Sequence, residues 1–254
     1  MHSPRIIPVL TLRDRGLVKT LQFGAARYVG DPINAVKVFN QKEVDELVFL
    51  DLDATREGRG PDLEHLEEIA SECFMPFAYG GGIRSLEEIR AVLRAGAEKV
   101  ALNSAACLDP ALVRDGAARF GRQSIIVSVD VRREQDGYAV FHTGGRIRHG
   151  TGLVEHLQAM ARLGAGEFLV TSIDRDGTCA GYDLELVRTA AAAVDVPVIA
   201  CGGARGLEDF RAAVQDAGAA AAAAGSHFVF CGPRRGVLIT YPERKDIVAA
   251  VLGG

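Results

Sequence analysis

Residues 76 to 105 and 197 to 226 carry one pattern twice. PFAYGGGIRSLEEIRAVLRAGAEKVALNSA aligns with PVIACGGARGLEDFRAAVQDAGAAAAAAGS through a single one-residue insertion. The alignment sets Gly81 on Gly202, Gly82 on Gly203, Arg84 on Arg205, Leu86 on Leu207, Glu87 on Glu208, Arg90 on Arg211, Gly96 on Gly218 and Ser104 on Ser226. A repeat this long demands two similar half-folds. Each copy runs from an apolar segment through a glycine-rich turn into an amphipathic segment and a second apolar segment. The doubled turn therefore offers two similar anion sites, where a strand end meets a helix start, and predicts a phosphorylated small-molecule ligand with a phosphate at each end.

The duplication reaches further: IIPVLTL at 6–12 lies over IIVSVDV at 125–131, and FLDLDAT at 49–55 over SIDRDGT at 172–178. Eight short apolar runs bounded by Gly, Asp or Asn alternate with stretches of helical period. They are RIIPVLTL at 5–12, ELVFLDLD at 46–53, MPFAYGG at 75–81, KVALN at 99–103, SIIVSVD at 124–130, EFLVTSID at 167–174, VPVIACGG at 196–203 and AAAAAAGS at 219–226. Eight βα units in 254 residues predict an α/β chain folded as a single (βα)8 TIM barrel with a two-fold half-barrel repeat. No Ser/Pro-rich linker divides it, so one domain is expected over 1–254, with half-barrels at about 1–122 and 123–254. The eighth run is an alanine tract, a helix former by propensity, but the repeat puts Ala221 to Gly225 in the slot of Lys99 to Asn103 and predicts a strand. RREQDGYAVFHTGGRIRHGTG at 132–152 predicts a hairpin laid over the barrel mouth.

Composition removes several function classes. A net charge of -4, with acidic and basic residues interspersed, carries no nucleic-acid footprint. No run of eighteen uncharged apolar residues predicts a membrane span, and the start MHSPRIIPVL lacks a secretory pattern, so a cytoplasmic protein is expected. Five scattered cysteines without a C-x-x-C pair predict reduced thiols. No spacing of metal-ligand type and no cofactor motif occurs, so neither a metal nor a cofactor is expected.

Working groups of such a barrel sit where strands end, at the C-terminal face. Those positions are Thr11, Asp51, Asp53, Gly80 to Gly82, Asn103, Ser104, Asp130, Thr171, Asp174, Asp176, Gly202, Gly203, Gly225 and Ser226. Gly81 and Gly82 with Asn103 and Ser104, and Gly202 and Gly203 with Gly225 and Ser226, compose two phosphate cradles fed by helix starts near Ser85 and Gly206. Asp130 is a carboxylate able to exchange protons. Its counterpart in the repeat is Thr11, a hydroxyl that cannot act as a base near neutral pH, so two carboxylates facing each other across the mouth are not expected. Asp174 and Asp176 can orient a substrate hydroxyl or hold the following loop, with Gly177 allowing a tight turn. Cys201 is expected to be an inert core thiol, and His142 and His149 exposed loop residues. At the other end of the strands, Arg5, Glu46, Lys99 and Glu167 could form a charged ring across the barrel floor, where apolar packing is usual and paired charges cost desolvation.

Together these features resemble the cyclase subunit of imidazole glycerol phosphate synthase, the HisF family. The likeness is carried by RIIP at 5, VK at 18, GDP at 30, DELVFLD at 45, GGGIRS at 80, KVALNSA at 99, VD at 129, GAGEFLVTSIDRDGT at 164, GYDLEL at 181 and PVIACGGA at 197. The resemblance implies a (βα)8 barrel that takes ammonia from a HisH-like glutaminase docked on its N-terminal face and uses it at the other face on a bisphosphate. It implies that Arg5, Glu46, Lys99 and Glu167 are gate charges, that Asp130 is a catalytic aspartate, and that Gly82, Asn103, Gly203 and Ser226 lie in the phosphate cradles.

One departure stands out. Where the family pattern after the first strand is close to PCLDVKDG, this chain has PVLTLRDR, with Thr11 in place of an essential aspartate. Residues 27–55 and 232–242 resemble HisF-like paralogues found with glycan biosynthesis, which are associated with a glutaminase and an ATP-dependent sugar amidotransferase. The expectation is an ammonia-supplying subunit for surface-sugar amidation. The alternatives are a true cyclase in which Asp14 or another group replaces the lost base, a non-catalytic scaffold for its glutaminase, and an isomerase of the related HisA type.

Overall fold

The computed structural model describes residues 5–253. Eight parallel strands close a barrel: β1 (Arg5–Arg13), β2 (Leu47–Asp51), β3 (Phe77–Gly80), β4 (Lys99–Leu102), β5 (Ile125–Glu134), β6 (Glu167–Ser172), β7 (Val198–Cys201) and β8 (Ala221–Ala224). Each strand pairs with the next, and β8 returns to β1 through Arg5 opposite Ala221, which shuts the ring and leaves no barrel edge. Because both faces are covered, the strands read as near-continuous apolar runs; in β1, residues 6 to 10 are all buried. One helix after each strand packs on the outside: α1 (Pro32–Gln41), α2 (Leu63–Glu72), α3 (Leu86–Arg94), α4 (Ala111–Phe120), α5 (Leu153–Arg162), α6 (Leu184–Ala193), α7 (Leu207–Arg211) and α8 (Arg244–Val248), with short further helices at Ala54–Glu57 and Ser104–Leu108.

Helix starts follow from local chemistry. Asp31, Asp62, Ser85 and Asp183 each accept a backbone N–H of the first turn, and Pro32 follows Asp31 where no donor is needed. The one-residue insertion that separates the two copies of the repeat is absorbed in α7, which continues as a π-helical turn at Ala212–Asp216, whereas α3 is regular α-helix.

The alanine run is a strand, against its propensity. Its backbone completes both β1 and β7, Ala221 and Ala223 fill the barrel interior, and the Tyr182 hydroxyl donates to the Ala223 carbonyl at 2.9 Å. The interior is lined by Ile7, Val9, Val48, Ala78, Ala101, Ile126, Leu169, Ile199, Ala221 and Ala223, so four of ten side chains are single methyl groups.

The first strand of each half overshoots the barrel. β1 turns back into Gly16–Lys19, with Thr11 opposite Val18, and β5 turns back into Gly137–His142, which pairs in turn with Ile147–Gly152. The predicted hairpin is thus a continuation of β5 itself. Phe141 and Ala139 of that hairpin pack with Ile173 and Phe23 beside the mouth. His142 and His149 correct the expectation of exposed loop residues: both lie in strands, His142 is buried and His149 half-buried, because their sides of the hairpin turn inward.

Candidate functional site

The C-terminal mouth opens on a cavity of about 540 Å³ whose walls include Thr11, Asn103, Ser104, Ser128, Asp130, Thr171, Asp176 and Cys201, with Gly81 and Gly82 on one side. Strand alternation puts them there: Ser128 and Asp130 share one face of β5, and Asp130 sits level with Thr171 on β6. A smaller recess of about 40 Å³ adjoins it, lined by Lys19, Gly177, Gly202, Gly203, Gly225 and Ser226.

Asp130 is the best-placed proton carrier. Burial, reinforced by the charge of Asp176, pushes its carboxyl up from 3.8 to about 7, so both protonation states are populated near neutral pH. Asp176 is itself raised by burial, while a hydrogen bond from Thr20 at 2.8 Å and the charge of Lys19 act against that rise. Two carboxylates therefore lie side by side at the mouth, supplied by β5 and the loop after the neighbouring β6, while the repeat position matching Asp130 holds the Thr11 hydroxyl. Thr11 lines the cavity, but its hydroxyl donates to the Val18 carbonyl. Cys201 is held protonated by burial, with its thiol pushed up to about 12.

The sequence did not single out Lys19. Its ammonium is buried, bonds the Val9 carbonyl at 2.5 Å and lines the smaller recess, where burial lowers its pKa to about 8. Glycine at 225 is what admits it: a Cβ there would stand 2.6 Å from the Lys19 Nζ. Arg235, from the loop after β8, bonds two residues of the recess wall, donating to the Gly177 carbonyl at 2.9 Å and to Ser226 Oγ at 3.4 Å. Lys19 could have been found only as the VK pair at 18, and Arg235 within GPRRGVLITYP; neither motif states where its cation points.

The glycine pairs of the two cradles all have positive φ. Gly81 and Gly82 have φ of 126° and 73°, Gly202 and Gly203 of 90° and 108°. Each is also packed against backbone: a Cβ at 81 would meet the Asp51 carbonyl at 2.7 Å, and one at 203 the Gly181 carbonyl at 2.2 Å. The expected helix starts are less free than the sequence implied. The amides of Glu88 and Arg84 are taken by Ser85 and Glu88, and those of Arg205 and Gly206 by Asp209. By contrast the short helix Ser104–Leu108 and the 3-10 turn Ser226–Phe228 begin at Asn103 and Gly225 with no side-chain cap.

Several predicted polar groups are engaged in holding the mouth together. Asn103 donates to the carbonyls of Ser128 and Phe141 at 3.0 and 3.2 Å, and Ser104 Oγ accepts from the Thr143 amide at 3.0 Å, which fastens the hairpin. Asp174 accepts from the Arg133 amide at 2.9 Å and does not line the cavity. Asp51 is bidentate to Arg59, and Asp53 is paired with Arg13 and Arg56. Asp14 sits exposed in the turn after β1, in a separate surface pocket with Arg15 and Asp62, so it cannot stand in for a base inside the mouth.

At the opposite end the four strand-opening charges meet in a closed ring. Lys99 Nζ donates to Glu46 and Glu167 at 2.8 Å each, and Arg5 donates to the remaining oxygen of each carboxylate. Burial opposes ionisation of Glu167, yet the bonds from Arg5 and Lys99 outweigh it and hold its carboxyl below the ordinary value. The ring has two charges of each sign and spans the floor of the barrel.

Under the hairpin, the ligand atoms of Cys107, His149 and His156 converge within 4.8 Å of one another. No spacing in the sequence announced this. Among the described residues no helix is long and apolar enough to cross a membrane.

Residues 5–232 match the family model described as histidine biosynthesis protein. A Pseudomonas aeruginosa protein provisionally named imidazole glycerol phosphate synthase subunit hisF2 is 48% identical over 244 residues, 96% of this chain and 97% of its own length. The imidazole glycerol phosphate synthase subunit HisF of Hyphomonas neptunium is 47% identical over 230 residues, 91% of each chain. That of Clostridium botulinum is 45% identical over 230 residues, covering 90% of this chain and 91% of its own.

Proposed function

This chain belongs to the histidine biosynthesis protein family, as a HisF-type imidazole glycerol phosphate synthase subunit, and on that premise we propose that it is the ammonia-receiving barrel of a glutamine amidotransferase serving surface-sugar amidation. In this reading a HisH-like glutaminase docks on the N-terminal face, over the ring of Arg5, Glu46, Lys99 and Glu167. Opening one Lys99 or Arg5 contact admits nitrogen to an interior whose wall from Ile7 to Ala223 is apolar. Such a wall favours uncharged NH3 over ammonium. At the far end, Lys19 and Arg235 supply cations to the recess formed by Gly202, Gly203, Gly225 and Ser226, the place for one end of a phosphorylated ligand. Gly81, Gly82 and Ser104 offer the place for the other. Asp130, titrating near neutrality, gives or takes a proton at a group bound between them, with Asp176 and Thr171 beside it.

The observation that carries the choice of acceptor is Thr11: its hydroxyl is spent on the Val18 carbonyl, so the first strand brings no acid–base group to the mouth. The ammonia would then pass on to an ATP-dependent sugar amidotransferase. A second reading, the cyclase of histidine synthesis, is favoured by the presence of Asp176 in the same cavity as Asp130.

Ammonia-dependent turnover of the bisphosphate used by HisF-type cyclases separates the two. The proposal expects no turnover at ordinary enzyme rates, about 1 s⁻¹ or more, and such turnover would overturn it. It also expects glutamine hydrolysis by a co-purified glutaminase to rise on mixing with this chain, without need of the bisphosphate.

A further inference from the structure

Under the hairpin beside the mouth, three elements distant in sequence bring one soft and two borderline ligands to a single point. Cys107 lies on the helix Ser104–Leu108 that follows β4, His149 on the strand Ile147–Gly152, and His156 on α5. Their ligand atoms lie within 4.8 Å of one another. The His149 and His156 rings meet edge to face with centroids 5.2 Å apart.

An apolar packing role does not account for the cluster. His156 is 2% exposed, and its Nε2 is buried with no hydrogen-bond partner among the described residues. A buried polar nitrogen left in that state costs about 1–3 kcal/mol. Cys107, 8% exposed, presents its sulfur to the same point. A single positive centre can take lone pairs from both imidazoles and turn the thiol into a thiolate.

We propose that Cys107, His149 and His156 form a zinc site that clips the hairpin onto the barrel. One thiolate and two imidazoles suit zinc, whose tetrahedral sites place ligand atoms about 3.5 Å apart. Closing from the present separations requires a shift of about an ångström, which His149, half-buried on the hairpin, can make. Binding forms one Zn–S and two Zn–N bonds and releases the thiol proton to solvent, with no change of oxidation state; water takes the fourth position. The site ties together three segments, one of which carries Ser104, the residue that accepts from the Thr143 amide in the hairpin turn. The proposal stands whether or not ammonia passes through the barrel.

The test uses the full chain, stripped with a chelator and titrated with cobalt(II) and then zinc(II). One cobalt per chain, visible ligand-field bands and a near-ultraviolet thiolate-to-cobalt band are expected, all displaced by zinc. Zinc in excess is expected to raise the melting midpoint by about 5 °C or more. Cys107→Ser should abolish the thiolate band. His149→Ala, at a half-buried position where the fold is under least threat, should weaken cobalt affinity at least tenfold. Absence of a thiolate band in the native sequence, or its persistence in Cys107→Ser, or unchanged affinity in His149→Ala, overturns the site.

Discussion

Gly225 lacks a side chain where the ammonium of Lys19 lies: a Cβ would fall 2.6 Å from Nζ and 3.2 Å from the Val9 carbonyl that Nζ bonds. The glycine admits a cation to the recess between Gly203 and Ser226, a role distinct from the turn geometry that requires glycine at 202 and 203, where φ is positive.

Gly225→Ala is therefore expected to displace Lys19 and weaken anion binding by about tenfold to a hundredfold, the worth of a charged hydrogen bond, with little loss of fold. Calorimetric titration with sulfate measures it. Sulfate keeps its charge across the range, so its affinity should also fall as pH rises through about 8, where Lys19 loses its proton. In Lys19→Met that pH dependence should vanish; an unchanged profile would remove Lys19 from the anion site.

Asp130 should make the chain less stable as pH rises. Its folded pKa of about 7 lies above the ordinary 3.8, so the unfolded chain releases the proton first and is favoured progressively between those values, and the cost is fully present above pH 7. From pH 5 to pH 8 this one group should remove on the order of 2–3 kcal/mol. Asp130→Asn lacks the titration, so urea denaturation at the two pH values should show a smaller drop than in the native sequence. Equal drops would mean that Asp130 keeps an ordinary carboxylate pKa.

Lys99→Met leaves Glu46, 3% exposed, with Arg5 as its one remaining cation in the ring. A loss of about 3 kcal/mol is expected, at the low end for a broken buried pair because Arg5 persists. Lys99→Met combined with Glu46→Gln should recover part of it, since the uncompensated charge is gone. Denaturation of the single and double variants checks this; if the double variant is no more stable than the single, the ring is not a coupled unit.

The barrel was legible in the chain because its signals are local. Eight apolar runs bounded by turn residues sit within a few positions of the eight observed strands, and the register of the repeat placed even Ala221–Ala224 correctly where propensity argued for a helix. The glycine pairs were legible for the same reason: a positive φ is a property of a residue and its neighbours. The hairpin at 132–152 was legible as strands over the mouth, but which of its side chains turn inward was not, and so His142 and His149 were misread as exposed. Asp14, two residues beyond Leu12, and Asp130, next to Val129, both lie close behind apolar strand residues, yet one faces solvent and the other the cavity.

What the amino-acid order settled on its own, then, is the alternation of strand and helix, the twofold pattern and the positions of the glycine turns, since each depends on residues a few places apart. Only the closed fold decided that Arg5 reaches Glu167, that Asp130 loses its water beside Asp176, that Lys19 fills the space left by Gly225, and that Cys107 meets two histidines. Charge pairing, desolvation and ligand geometry depend on distances across the barrel, and no local pattern encodes those distances.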